Sequence, residues 1–544
     1  MLSLLLGLTL GAGAPSNPMI DLITRFATDL RDVRRFHSLD ATPAAESRLA
    51  SFIADWRRKL GEVNVADLDL DGRIDHTLLV NQLSKIEAER ALKTRRFAQT
   101  ADLLPFREAI LELEHQRRNL VPLDPRESAA ALAGIEAKAK QTKKRLEAEE
   151  RAGHDMVVAK RAADEIGGLK QTLETWFKHY DGYKPVFGWW TKTPYQKADA
   201  ALGDLQKHLR EKVLGFREGE DEPLIGSPIG RDALLADIRH ELLDESPEEL
   251  IAMAAKEFEW CRKEYLRAAR EMGFGDDWRA ALEKVKQNHV PPGEQDELVA
   301  GLAREAIAFV KERDLLTIEP LCEETWRVDM ISERDQKTWP FQFYGGQRIA
   351  VGYPLETMDH EAKMMSLRGN NRHFTRCTVQ HELIPGHHLQ LYMAARYKPY
   401  RDLFQTPFFV EGWCLHWEML LYDLEFPKTP EDRIGYLFWR SHRCARIVVS
   451  LKFHLGEMTP EEMIQYLVDE VGHERFTATS EVRRYIGEMY SPLYQCAYLI
   501  GGLQLRDLYK KHVGSGRMTP KAFHDAVLRQ GSIPMKLLAM ALEG

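Results

Sequence analysis

The chain has 544 residues, 44% hydrophobic and 29% charged, with a formal net charge of −8. That is the balance of a globular protein with more than one ordinary core, and it excludes a low-complexity or collagen-like chain. The acidic excess argues against a nucleic-acid binder, which is usually basic, so the basic runs at 93–96 and 143–145 read as solvated helix faces.

The N-terminus opens on MLSLLLGLTLGAGAPS, an apolar stretch followed by small residues, as in an export signal. A basic leader is missing, and Pro15 would spoil cleavage after Ala14. Residues 1–17 are therefore read as an export segment in preference to a frayed first helix, and an exported location is favoured over a cytoplasmic one. No later stretch is long and apolar enough to span a membrane, so no stable membrane insertion is expected. Residues 18–310 read as a helical N-terminal domain. The stretch 127–180, rich in Ala, Glu, Lys and Leu, suits long amphipathic helices with few breakers before Gly167-Gly168. The aromatic segment YDGYKPVFGWWTKTPY at 180–195 reads as a long ordered loop. Pro291-Pro292-Gly293 marks the main break, and residues 311–544 read as a second helical domain, the one that carries the His381 motif. Within it, WPFQFYGGQRIAVGYP at 339–354 reads as a β-hairpin around Gly345-Gly346. The expected fold class is mostly α: a large helical protein, two helical halves flanking a cleft, with a small β element beside the metal site. None of the six cysteines stands in a CxxC or zinc-knuckle spacing, so free thiols are expected.

His-Glu occurs four times, at 240, 360, 381 and 473, but only His381-Glu382 is followed by histidines within two helical turns. In HExxH the two histidines are one turn apart and meet one Zn²⁺, with the glutamate beside the metal-bound water. Here the stretch is HELIPGHHLQ, with Pro385 where the second histidine would stand. At about 100° per residue His387 would face roughly 120° away from His381; His388 shares its side but sits roughly 10 Å along the axis. Pro385 removes the N–H that would bond the His381 carbonyl, and Gly386 adds freedom, so a bulge in the helix is expected. Two residues looped out would bring His387 to the ligand position, with His388 as the alternative ligand or a neighbouring group. The third ligand is expected to be a carboxylate on a following helix. FFVEGWCLHWE at 408–418 supplies Glu411 in apolar surroundings where an unpaired carboxylate is costly; Glu418, two turns on, reads as a residue that supports a ligand or the fold.

HELIPGHHLQ followed by EGWCLHWE resembles the bacterial domain-of-unknown-function 885 family, whose members carry HExxPGHxxQ and EGWALYxE. That family is grouped with zinc metallopeptidases of the glutamate-zincin type. The resemblance implies His381, His387 and Glu411 as zinc ligands and Glu382 as general base. RCARIVVSLKFHLGEMTPEEMIQYL at 443–467 is similar to the family's RLVVDTGLHxxGW, matching Arg446 and His454 but with Ser450 in place of aspartate. RRYIGEMYSPLYQCAYLIGG at 483–502 is similar to RYxxxPGQALSYKIG, matching Arg484, Tyr485, Pro492, Tyr498 and Gly501, with a longer gap before Pro492 and Leu499 in place of lysine.

The expected chemistry is zinc-assisted hydrolysis of a peptide bond in a short peptide, with Glu382 moving the proton. Tyr498 is the first candidate to donate to the developing oxyanion, followed by His454, Tyr485 and His388. Strand addition to FQFYGGQRIAVGYP would align the peptide. Arg348, Arg446 and Arg484 are candidates to grip a terminal carboxylate, which would make the enzyme a carboxypeptidase; without such a grip it is an oligopeptidase. The competing readings are a zinc hydrolase of a non-peptide amide and a non-catalytic helical scaffold that binds peptides. No sequence feature assigns an oligomeric state.

Overall fold

Ser/Thr-Pro pairs start many of the helices. Thr406, Thr429, Thr459 and Thr519 each accept a backbone N–H through the side chain, while the following proline occupies the first turn. There its missing N–H costs nothing and its fixed φ suits the helix. The computed structural model describes residues 17–38, 42–148, 155–217, 222–336, 339 and 341–543. The expected export segment lies outside them except for Asn17, which caps the first helix, Pro18–Phe36.

The protein is mostly α, as expected, with one small sheet among the described residues. The largest apolar core runs from Met19 to Leu538 and draws on both sides of the break at 291–293. A second core is local to residues 104–214, where Arg107–Arg118, Pro125–Ala148, Met156–Tyr180 and Pro185–His208 pack together. A buried ion pair ties helix Leu70–Gln99 to the short helix Pro399–Phe404. Arg401 Nε donates to Asp75 Oδ1 at 2.7 Å, and Tyr400 donates to the other oxygen at 3.0 Å. No described helix is long and apolar enough to cross a membrane. All six cysteines are free and buried.

Two local expectations are corrected. The 180–195 segment is not a long loop: after a short turn, helix Pro185–His208 begins. Pro185 takes the tolerated first position; Tyr180 and Phe187 are buried and Tyr195 stacks on Phe177 at 3.9 Å between ring centroids, while Tyr183, Trp189 and Trp190 are exposed. Gly167 and Gly168 do not end a helix either, and lie inside Met156–Tyr180.

The expected hairpin is present and larger than expected. Strand β1 is Arg327–Met330, β2 is Gln342–Tyr344 and β3 is Arg348–Val351. β3 is central, antiparallel to β2 with Phe343 opposite Ala350, and parallel to β1 with Val328 opposite Ile349. Ile349, Ala350 and Val351 are buried, as befits a central strand. β2 is an edge strand.

Candidate metal centre and cleft

Helix Arg372–Glu382 carries His381 and Glu382 in its last turn. Gln342 clamps β2 against it: Thr378 Oγ1 donates to Gln342 Oε1 at 2.7 Å, and Gln342 Nε2 donates to Thr375 Oγ1 at 3.2 Å. The structure corrects the expected bulge. The helix stops at Glu382, a turn with a cis Ile384–Pro385 peptide follows, and a separate helix runs His387–Ala394. Pro385 cannot continue the hydrogen-bond ladder. The Gly386 N–H instead reaches back to the Gln380 carbonyl at 3.0 Å. Gly386 is packed so tightly that a Cβ would lie 1.8 Å from the His381 carbonyl oxygen. Trp413 Nε1 donates to the Pro385 carbonyl at 2.8 Å and pins the turn from the next long helix. The result is that the His387 ring stands 4.9 Å from the His381 ring, nearly perpendicular to it.

Helix Pro407–Asp423 supplies both Glu411 and Glu418. They are seven residues apart, hence on one face about two turns from each other. This helix packs on Tyr494–Tyr509 at Gly412 and Gly501, where a Cβ on Gly501 would fall 1.9 Å from the Phe408 carbonyl. The close approach brings Tyr494 to the site, and its hydroxyl donates to Glu411 Oε1. The other oxygen, Oε2, has no hydrogen-bond partner and lies 3.5 Å from His381 Nε2 and 3.3 Å from His387 Nε2. Each imidazole turns its opposite edge outward. His381 Nδ1 lies 2.6 Å from Glu418 Oε1, and His387 Nδ1 lies 3.3 Å from Cys414 Sγ.

His381, His387 and Cys414 form a buried group whose ligand atoms lie within 4.8 Å of one another, and it could hold a metal ion. The electrostatics agree with a cation there. Burial opposes a charge on His381, but the carboxylates of Glu411 and Glu418 outweigh it and raise the imidazole to about 9. Burial likewise works to raise Glu411, but His387 and His381 hold it well below the usual carboxylate range. Surroundings that favour a positive charge on His381 favour a metal cation too, and a metal that binds an imidazole must displace its proton. Glu382 differs: burial is the main influence and moves its carboxyl upward.

His381, Glu382, His387 and Glu411 line a cavity of about 350 Å³ together with Phe343 and Tyr344 of β2, Tyr498, and the arginines 443, 446 and 484. Tyr498 stacks on His381 at 6.2 Å. The other residues singled out in the sequence fall elsewhere. His388 points away from the paired imidazoles, with Nε2 2.8 Å from the Cys322 carbonyl and Nδ1 3.3 Å from the Tyr344 hydroxyl. His454 is not in the cavity wall: it ends the helix Pro430–Leu455, roughly 16 Å along the axis from Arg443. Burial, then the Arg96 charge, lowers it to about 4. Tyr485 is buried behind the wall, accepting from Arg446 Nε at 2.8 Å and donating to Glu481. Arg348 is exposed and paired with Asp329 across β1 and β3 at 3.0 Å.

Tyr494, Trp413 and Arg443 were not singled out in the sequence. Two of them carried a usable signal: Tyr494 precedes Tyr498 by four residues and Arg443 precedes Arg446 by three, so each shares a helix face with a candidate already named. Trp413 had no such signal, because its role depends on where the proline turn comes to rest.

The family model for "Bacterial protein of unknown function (DUF885)" matches residues 27–542. The chain belongs to the DUF885 family. No curated protein matches it. Two solved bacterial structures, each described as a "putative lipoprotein", share the fold. One, of unknown function and from Shewanella oneidensis, has a TM-score of 0.70 at 20% identity, covering 97% of this chain and 100% of its own. The other, from Colwellia psychrerythraea, has a TM-score of 0.61 at 16% identity, covering 96% and 98%. At these identities the likeness is one of fold, which this DUF885 chain shares over nearly its whole length.

Proposed function

We propose that this DUF885 protein is a zinc-dependent peptidase that hydrolyses peptide bonds of short peptides. One observation carries the reading. His381 Nε2 and His387 Nε2 lie 3.5 and 3.3 Å from Glu411 Oε2, and ligand atoms bound to one tetrahedral zinc at its usual bond lengths stand about 3.3–3.4 Å apart. His381, His387 and Glu411 are thus the ligands. Cys414 is excluded as a fourth because it meets His387 on Nδ1, the edge turned away from Glu411. Burial also holds its thiol well above the ordinary value, far from a ready thiolate. A buried Glu411 oxygen without a hydrogen bond is costly unless a cation meets it.

Zinc held there would polarise a substrate carbonyl and make a water acidic enough to lose a proton near neutrality. Glu382 takes that proton as the water oxygen bonds to the carbonyl carbon, and gives it to the leaving nitrogen as the C–N bond breaks. Tyr498, kept protonated by burial, donates to the carbonyl oxygen as it gains charge. The β2 edge aligns an extended peptide along the cavity. A cavity of about 350 Å³ suits short peptides rather than folded proteins. The apolar N-terminal segment and the lipoprotein descriptions of both solved relatives support an exported location.

The test is cleavage of a mixed peptide library by the purified protein, mapped by mass spectrometry, beside its metal content. Near-stoichiometric zinc is expected, with cleavage lost on chelation and restored by zinc. Metal-free protein that still cleaves, or zinc-loaded protein that cleaves nothing, overturns the reading. Glu418 orients His381 through its Nδ1. Glu418→Gln keeps its volume and removes its charge, and is expected to weaken zinc binding about 10–100-fold, read by competition with a coloured chelator.

A further inference from the structure

We infer that the arginine-lined end of the cavity binds the C-terminal carboxylate of the substrate, so that the enzyme trims peptides from that end. The inference rests on the peptidase reading and names its substrate class. Glu481 is shared between two guanidiniums, accepting from Arg446 at 2.9 Å and from Arg484 at 2.6 Å. It also takes the Tyr485 hydroxyl and lies 3.3 Å from His442 Nε2. Its lone pairs are committed inward, and two positive charges share one negative charge. Both arginines stay charged: burial works against them, but the Glu481 carboxylate beside them helps hold both above the ordinary arginine value.

Donors are left over. Arg446 Nη1, Arg484 Nε and Arg443 Nε are buried without a hydrogen-bond partner, although all three residues line the cavity. A buried donor without a partner is costly, so a cluster of them on a cavity wall is best explained by an anionic guest. A planar carboxylate matches the guanidinium fork. The distance to the metal site limits which carboxylate fits. Arg443 and Arg446 lie over the Tyr498 ring at 4.6 and 4.4 Å, and that same ring stacks on His381 at 6.2 Å. That leaves room for no more than about three residues of extended chain, at roughly 3.5 Å each, between the cleaved bond and the anion. Arg348, the remaining sequence candidate, is already paired on the sheet surface.

The test compares a peptide of free C-terminus with its amidated twin. On the wild-type protein, amidation is expected to lower kcat/KM about 10–100-fold, the range for hydrogen bonds to a charged group, with products one to three residues long. Arg484→Gln is expected to shrink the ratio of the acid's kcat/KM to the amide's toward one. Equal cleavage of both twins by the wild type, or rescue of the amide by a glutamate placed near its end, overturns the inference without needing any variant to fold. Binding of both twins to zinc-loaded Glu382→Gln protein separates it from the peptidase reading. Tighter binding of the acid with no cleavage by the wild type sinks the peptidase reading and keeps the carboxylate site. Equal binding sinks the carboxylate site alone.

Discussion

Glu382→Gln is expected to keep zinc bound and to slow peptide hydrolysis about 10²–10⁴-fold, the usual contribution of a positioned general base. The large effect with an intact site follows from how the acids of the centre are held. Glu411 is engaged by Tyr494 and the two imidazoles, and Glu418 by His381 and Arg443. Glu382 alone among them has no protein hydrogen bond to its carboxylate among the described residues, and it lines the cavity. Glutamine has the same shape, so the change removes no protein contact and no ligand. It removes only the capacity to accept a proton. Metal content measured beside initial rates checks both halves of the statement. A variant that keeps zinc and hydrolyses peptides at the wild-type rate would place the base elsewhere. One that loses zinc would show Glu382 to be part of the metal's support.

How far the sequence could be read depended on whether local pattern or long-range packing decided the outcome. The helical class followed from composition and periodicity. The β2–β3 pair followed from apolar runs around Gly345-Gly346. β1 was missed because RVDM, although it alternates polar and apolar, is only four residues long, and it is a strand because β3 lies beside it. The 180–195 segment was misread because its prolines and glycines looked like loop punctuation. Pro185, however, stands at a helix start, where proline is favoured. At the site, helix arithmetic could say only that neither His387 nor His388 fits a straight helix. The choice lies in the turn, which puts His387 beside His381 and sends His388 to the Cys322 carbonyl. His454 shows the opposite error: a residue that matches a family motif but sits at the far end of a long helix. Arg446 and Arg484 were named from sequence, but their leftover donors exist only because Glu481 and Tyr485 consume the others.

The second large effect concerns Gly386. Gly386→Ala is expected to weaken zinc binding by more than the 10–100-fold typical of a group that merely supports a ligand, and to destabilise the fold by about 1–3 kcal/mol, the usual cost of overpacking. Space is the obstacle. The added carbon would stand 1.8 Å from the His381 carbonyl oxygen, 2.4 Å from its carbon and 2.6 Å from the Gln380 oxygen. All three are backbone atoms of the helix that carries the first ligand, so no rotamer change relieves the contact. The turn must open, and as it opens it carries His387 away from His381 and Glu411. Gly301→Ala is the matched control: that glycine lies within Gln295–Glu312 with nothing within 4 Å of its added carbon. There the same change is expected to leave zinc binding untouched and to stabilise the helix slightly. Isothermal zinc titration and thermal unfolding of the two variants decide the point. If both bind zinc as tightly as the wild type, the proline-glycine turn is not what delivers the second histidine to the metal.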